Sequence, residues 1–201
     1  RDLVNEIERI RERDPDYWRV YGEGQRAIFS DRQIFSNWQY IPFKEFPELE
    51  WHLGCDFGYS NDQTAIVMVA KKNDKLYIHE LLYKKGMTNR DIAEFLKAEG
   101  KNDLLMYCDS AEPKSIEELR QMDCLAKAAI KGAGSINAGI SLIKEFDVIV
   151  SSESKNIQKE QQNYFWEEMK DGTIINKPID RFNHSIDAIR YGVYSRYKNR
   201  N

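Results

Sequence analysis

The sequence predicts an α/β fold: a mixed sheet that opens on antiparallel strands and is flanked by helices. Three observations carry that expectation. Segments follow the order β-β-β-α-β-α-β-α and then a closing helix, read from hydrophobic periodicity. Asn73-Asp74 lies between two apolar runs, TAIVMVAKK and KLYIHELLYKK, as a hairpin turn would. Composition supplies the third, since 41% of the 201 residues are apolar and 31% are charged. Counting the 11 Gly in place of the 11 Tyr leaves the apolar share unchanged. That share is below the roughly 45–50% of an average domain, and the charged share exceeds the usual roughly 25%. Such a chain has core enough for one large domain and a highly charged surface. No run approaches the roughly 18 apolar residues that a membrane helix needs, so no membrane partner is expected. No signal peptide is visible either.

Taken in order, residues 1–14 (RDLVNEIERIRERD) read as a charged helix. The chain opens inside it, which leads us to expect a piece of a longer protein. The stretch up to Trp51 is rich in aromatics and broken by Gly and Pro. It reads as a linker or the docking edge of a missing neighbour, so the expected division is a linker over 1–50 and a folded domain over 51–201. Most aromatics in 17–51 are expected to serve packing, because the bases of a duplex are not exposed to stacking. WHLGCDFG then forms a short strand and turn, followed by the hairpin. Thr88 or Asn89 caps a helix that runs to about Glu99, before Gly100. DLLMYCD is a compact strand ending in Asp109, and EPKSIEELRQM a helix with Pro113 in its first turn. LAKAAI is a weak strand, GSINAGISLIKEF a helix opened by Ser135, and DVIVS another strand. KNIQKEQQNYFW reads as helical, and Asp171-Gly172 as a turn between short strands. From about Asp180 to Tyr197 the pattern is that of an amphipathic helix.

Charge and cysteine usage narrow the function. Thirty basic and 33 acidic residues leave a net charge of −3, which argues against nucleic-acid binding driven by global charge but permits local basic stripes. The three cysteines show no CxxC spacing. Cys55 and Cys108 each precede an aspartate in an apolar run, as small buried hydrophobes, so a reducing cytoplasm is expected rather than a disulfide scaffold.

The aspartates carry the chemistry. With 53–58 extended, side chains alternate, so Gly54, Asp56 and Gly58 share one face. Asp56 is thus flanked by residues without side chains, leaving room for a bulky partner backbone. Asp109 closes its strand in the same manner, where α/β sheets usually place a ligand. His184 and Asp187 are three apart on the closing helix, and Arg190 follows on the same face. A lone strand-end aspartate is most often a turn or cap residue, and a lone helical His/Asp pair is most often surface. Three such carboxylates are harder to dismiss. Gathered together they repel one another and hold their protons, and a divalent cation reverses that. Oxygen ligands favour Mg²⁺ or Mn²⁺, and two such ions about 3.5–4 Å apart can hydrolyse a phosphodiester. Asp62, across the turn from Asp56, is either a further ligand or a turn former. His184 has several open roles: metal ligand, water orienter, proton relay or helix cap.

Four stretches also resemble a known family: GCDFGYSNDQTA around Asp56, MYCDSAEPKSI around Asp109, KGAGSINAGISLIK, and NKPIDRFNHSIDAIRYGVY around Asp187. In this order they resemble the nuclease domain of the large terminase subunit of tailed bacteriophages, a member of the RNase H-like superfamily. DPDYWRVYGEGQ resembles that family's join between motor and nuclease. The resemblance implies three antiparallel first strands, then parallel strands, with the strand of Asp109 beside that of Asp56. It implies that Asp56, Asp109 and Asp187 form a metal-binding triad, with Asp62 and His184 at accessory positions. It further implies an endonuclease that cuts concatemeric viral DNA during genome packaging, in the host cytoplasm and transiently at the procapsid portal. The implied partners are double-stranded viral DNA, an N-terminal ATPase of the same full-length chain, the portal and the small terminase subunit. No GxxxxGK[ST] sequence occurs here, so ATP hydrolysis by that route is not expected of these residues.

For DNA, Lys131, Gly132 and Gly134 lead into a helix whose backbone N–H groups can take a phosphate, or the glycines simply permit the turn. Arg196, Lys198 and Arg200 are expected to complement the closing helix's C-terminus, and Arg190 to track DNA. Residues 164–178 form a candidate hairpin beside the cleft, a gating element in related terminases. Other readings are a junction resolvase or hybrid nuclease of the same superfamily, or a noncatalytic module docking on portal or capsid. A sugar-kinase or actin-like ATPase is suggested by DFGYSNDQTA as a phosphate-binding hairpin. Those proteins close two related lobes over nucleotide, and 201 residues supply one.

Overall fold

Strand β2 (His52–Asp56), β3 (Gln63–Lys72) and β4 (Lys75–Lys85) form an antiparallel meander. The turn between β3 and β4 is the expected one, with Asn73 at φ 56°, a left-handed value that Asn tolerates better than most residues. The computed structural model describes residues 32–58 and 62–199, and Gln33–Asn201 cluster as one unit. The expected helix over 1–14 lies outside the described residues.

Parallel strands extend the meander on both sides. With β1 at Gln39–Ile41, β5 at Met106–Cys108, β6 at Ala126–Ala128 and β7 at Asp147–Ser151, the order is β1-β7-β4-β3-β2-β5-β6. Leu53 pairs with Met106 and Cys55 with Cys108 in parallel register, so Asp56 and Asp109 leave adjacent strands at the same end.

Local signals set the helix starts. Helix α1 (Asn89–Ala98) begins with a capping box in which Thr88 and Asp91 exchange hydrogen bonds. Helix α2 (Pro113–Gln121) has its proline in the first turn. Helix α3 (Ser135–Lys144) is entered through Gly134 at φ 75°, a conformation glycine adopts without strain. Helices α4 (Lys155–Asn163) and α5 (His184–Tyr197) complete the set among the described residues. One sheet face buries Leu53, Cys55 and Met106 against Ile92 and Leu96 of α1 and Leu119 of α2. The other buries Val67, Ile78 and Val150 against α3, α4 and α5. A separate hairpin, β8 (Trp166–Glu168) with β9 (Ile174–Pro178), turns at Asp171-Gly172.

Two expectations change. The boundary near Trp51 falls inside the folded unit, because β1 pairs in parallel with β7 and Ile34 and Phe35 are each only 2% exposed. A three-residue strand shows no alternation to read, and its sheet partner lies more than a hundred residues away. Among the described residues, aromatics before Trp51 do pack: Phe43 and Phe46 meet each other, Trp51, His79 and Tyr77; those before residue 32 lie outside the described residues. The closing helix is not amphipathic and begins later than expected, at His184. It buries Ile186, Ala188, Ile189, Arg190, Tyr191, Val193 and Tyr194, so it is a central helix rather than a surface one. Among the described residues no helix is long and apolar enough to cross a membrane. All three cysteines are free and buried.

Candidate active site

Asp56 ends β2, Asp109 follows β5, and Asp187 lies in the first turn of α5. All three line one cleft of about 540 Å³, together with Lys131, Gly132, Gly134, Arg190 and Tyr191. The approach of α5 depends on glycine. A Cβ on Gly54 would stand 1.9 Å from the Ala188 carbonyl oxygen, and one on Gly192 would stand 3.6 Å from the Gly54 Cα. The alternating reading placed Gly54 and Asp56 on one face, and the backbone using that room is α5.

Each acid is engaged differently. Asp56 Oδ2 lies 3.2 Å from His184 Nδ1. Burial, with the Asp187 and Asp109 charges adding to it, pushes Asp56 up to about 6, against the opposing His184 contact. Burial also raises Asp187, although Arg190 donates to its Oδ1 from Nη2 at 2.9 Å and from Nε at 3.2 Å. Asp109 is the exception. Burial pushes it up, but Lys131, the Ala111 N–H at 2.7 Å and the Tyr191 hydroxyl at 3.2 Å together bring it below the ordinary value. His184 is raised, first through its bond to Asp56.

Arg190 is a correction to the sequence reading. It is 3% exposed and bound to Asp187, and its stem fills the space where a Cβ on Gly139 would stand, 2.5 Å from Arg190 Cγ. A cation so held neutralises its own carboxylate and does not track DNA. Lys131 reaches Asp109 and stands 4.9 Å above the Tyr191 ring. Gly132 and Gly134 line the same cleft at the start of α3. Asp62 does not join the three acids. It is exposed and lines an adjoining cleft of about 880 Å³ with Asp56 and His184. The β8–β9 hairpin does stand beside the acidic cleft, contributing Asn176, Lys177 and Pro178, and Asn137 Nδ2 ties it to α3 through the Asn176 carbonyl at 2.9 Å.

Two functional neighbours were not read from the sequence. Tyr191 was detectable in principle, four residues after Asp187 and so on its helix face. Glu160 had no local signal, because its contacts with α5 join residues 25 positions apart.

Among the described residues no three His, Cys, Asp or Glu side chains stand close enough to hold a metal ion as they are. The donor set still fits a hard divalent cation. It is oxygen-only, and burial holds Asp56 and Asp187 above the ordinary carboxylate value, which a divalent cation would reverse.

A mixed sheet of this order, with carboxylates at two adjacent strand ends and on the helix packed across them, defines an RNase H-like domain. The model of the terminase RNase H-like domain matches residues 56–194, and the chain belongs to that family. It is 27% identical over 200 residues to the PBSX phage terminase large subunit of Bacillus subtilis (strain 168), covering 94% of this chain and 46% of that one. It is 31% identical over 144 residues to the terminase large subunit of Bacillus phage SPP1, covering 69% and 34%. The chain thus spans less than half the length of these relatives. The crystal structure of the large-terminase nuclease domain of bacteriophage SPP1 with bound Mn superposes at a TM-score of 0.72 with 29% identity. That match covers 81% of this chain and 97% of the other.

Proposed function

We propose that this chain is a divalent-metal-dependent endodeoxyribonuclease that cuts concatemeric viral DNA during packaging. The observation that carries the reading is that Asp56, Asp109 and Asp187, distant in sequence, line a single cleft. Likeness to an SPP1 nuclease domain solved with Mn supports it. Asp56, Asp109 and Asp187 would hold Mg²⁺ or Mn²⁺, and Asp62 is a candidate further ligand. Bound there, divalent ions would supply positive charge to the phosphodiester and a more acidic water. His184, held through Nδ1 by Asp56, keeps its other ring nitrogen for a proton at the attacking or leaving oxygen. Lys131 and the backbone of Gly132 and Gly134 are the phosphate contacts. Arg190 holds Asp187, and the β8–β9 hairpin gates the cleft.

With a net charge of −3, the domain itself would bind DNA weakly and with strong salt dependence. Delivery at high effective concentration then matters. That fits an N-terminal ATPase on the same full-length chain, with portal and small terminase subunit as further partners in the host cytoplasm.

Incubation with supercoiled plasmid and Mn²⁺ or Mg²⁺ is expected to give nicked and linear products. Intact plasmid at high protein concentration would sink the proposal. Faster cutting of a four-way junction or an RNA–DNA hybrid would favour the superfamily alternatives. Metal binding has its own readout. At 100-fold over its Kd, Mn²⁺ should stabilise the fold by about 2.7 kcal/mol, raising Tm by roughly 5–10 °C. Asp56→Asn should abolish that rise, and an equal rise in the variant would remove Asp56 from the binding site.

A further inference from the structure

Glu160, in the last turn of α4, is 1% exposed, and both of its carboxylate oxygens are used. Oε2 accepts from the backbone N–H groups of Ser185 at 2.7 Å and Ile186 at 3.2 Å. Oε1 accepts from the Tyr83 hydroxyl at 2.8 Å. Ser185 and Ile186 lie in the first turn of α5, whose amides have no partner inside their own helix. Asn183, the residue at the cap position, makes no side-chain cap. The N-terminus of α5 is therefore capped from another helix, by a carboxylate at the positive end of the dipole.

The same device recurs one helix earlier. Glu80 on β4 accepts through Oε2 from the N–H groups of Asn156 and Ile157, both at 3.0 Å, and through Oε1 from Asn156 Nδ2 at 2.7 Å. Carboxylate-to-helix links thus run from β4 to the start of α4, and from the end of α4 to the start of α5. The residue just before the capped amides is His184, and the residue just after them is Asp187.

We propose that Glu160 is a positioning residue: by capping α5 from outside, it fixes the first turn of that helix and so aims His184 at Asp56 and Asp187 into the acidic cleft. The catalytic part of this rests on the nuclease reading, whereas the cap itself does not. Burial works against a carboxylate at this position, and the bonds to Ser185, Ile186 and Tyr83 that fix the start of α5 offset that cost.

The test uses Glu160→Ala and Glu160→Gln in the 201-residue chain. Glutamine keeps an accepting oxygen without the charge. Hydrogen exchange at the Ser185 and Ile186 amides should be about tenfold faster in the alanine variant, with sheet amides unchanged. With Mn²⁺ and plasmid, kcat should fall about tenfold while KM for DNA stays within about twofold. Glu160→Gln should recover most of both. Should Glu160→Ala not fold, Glu160→Leu fills the space without an acceptor and is expected to behave alike. Wild-type exchange in a folded variant overturns the cap. Wild-type kcat, a loss that only tracks the fraction folded, or a glutamine variant as impaired as alanine overturns the positioning role. If the wild-type chain cuts nothing, the nuclease reading fails, and the exchange measurement still decides the cap.

Discussion

Asp56→Asn is expected to abolish cutting while making the metal-free chain more stable. Loss of activity follows from the place of Asp56 at the meeting of both clefts, hydrogen-bonded to His184 and facing the charges of Asp109 and Asp187. Removing such a group should lower the rate about a thousandfold or more, equivalent to about 4 kcal/mol. The gain in stability follows from the same burial. Asp56 has its pKa raised to about 6 from 3.8, so the folded state holds a proton that the unfolded state releases. Its favourable contribution is complete below the unfolded value and is lost as pH rises from about 4 to 6. Above that range the ionised carboxylate carries a penalty of up to about 3 kcal/mol, and asparagine carries none. The stability difference between variant and wild type should therefore grow from pH 4 to 6 and then level off. Urea melts across that range, in chelator, give the curve directly. A flat difference would mean that Asp56 is not strained by its surroundings, and full cutting by the variant would end its proposed role.

The second large effect concerns a residue with no chemistry of its own. Gly54→Ala places a Cβ 1.9 Å from the carbonyl oxygen of Ala188, with Gly192 N at 3.2 Å. Both neighbours are backbone, so no side chain can rotate away. Relief requires α5 to lift off β2, carrying Asp187 with it and breaking the packing of Ile186, Ile189 and Val193 against the sheet. Overpacking of this kind costs about 3 kcal/mol or more, a fall in Tm of roughly 6–12 °C. Variants that do fold should also lose their Mn²⁺-induced rise in Tm, because the acids no longer face one another. Thermal melts with and without Mn²⁺ test both parts, and a wild-type melt would show that the helix can move at no cost.

Local rules explain which elements were legible. Thr88, Pro113, Asn73-Asp74 and Asp171-Gly172 act within a few residues of themselves, so their turns and caps stand where expected. Asp56 and Asp109 were legible as strand-end carboxylates, since an apolar run that stops at an acid places it where the strand leaves the sheet. Gly54 was legible as a face left open, though not which backbone would enter. Arg190 was misread, because on a terminal helix a cation looks like surface until Gly139 and Asp187 are brought around it. Strand β1 was missed because three residues carry no period.

By itself the sequence determined the order of the strands and helices from Trp51 onward, the hairpin turns, the starts of α1 to α4 and the aspartates available to a site, because periodicity, caps and turn residues act over short spans of chain. Tertiary structure alone decided that α5 is central, that Arg190 serves Asp187, that Tyr191 and Lys131 flank Asp109 and that Glu160 caps α5 from outside. Those are contacts between residues far apart along the chain, and they arise only when a helix with glycine beneath it settles on the sheet and shuts its polar groups away from water.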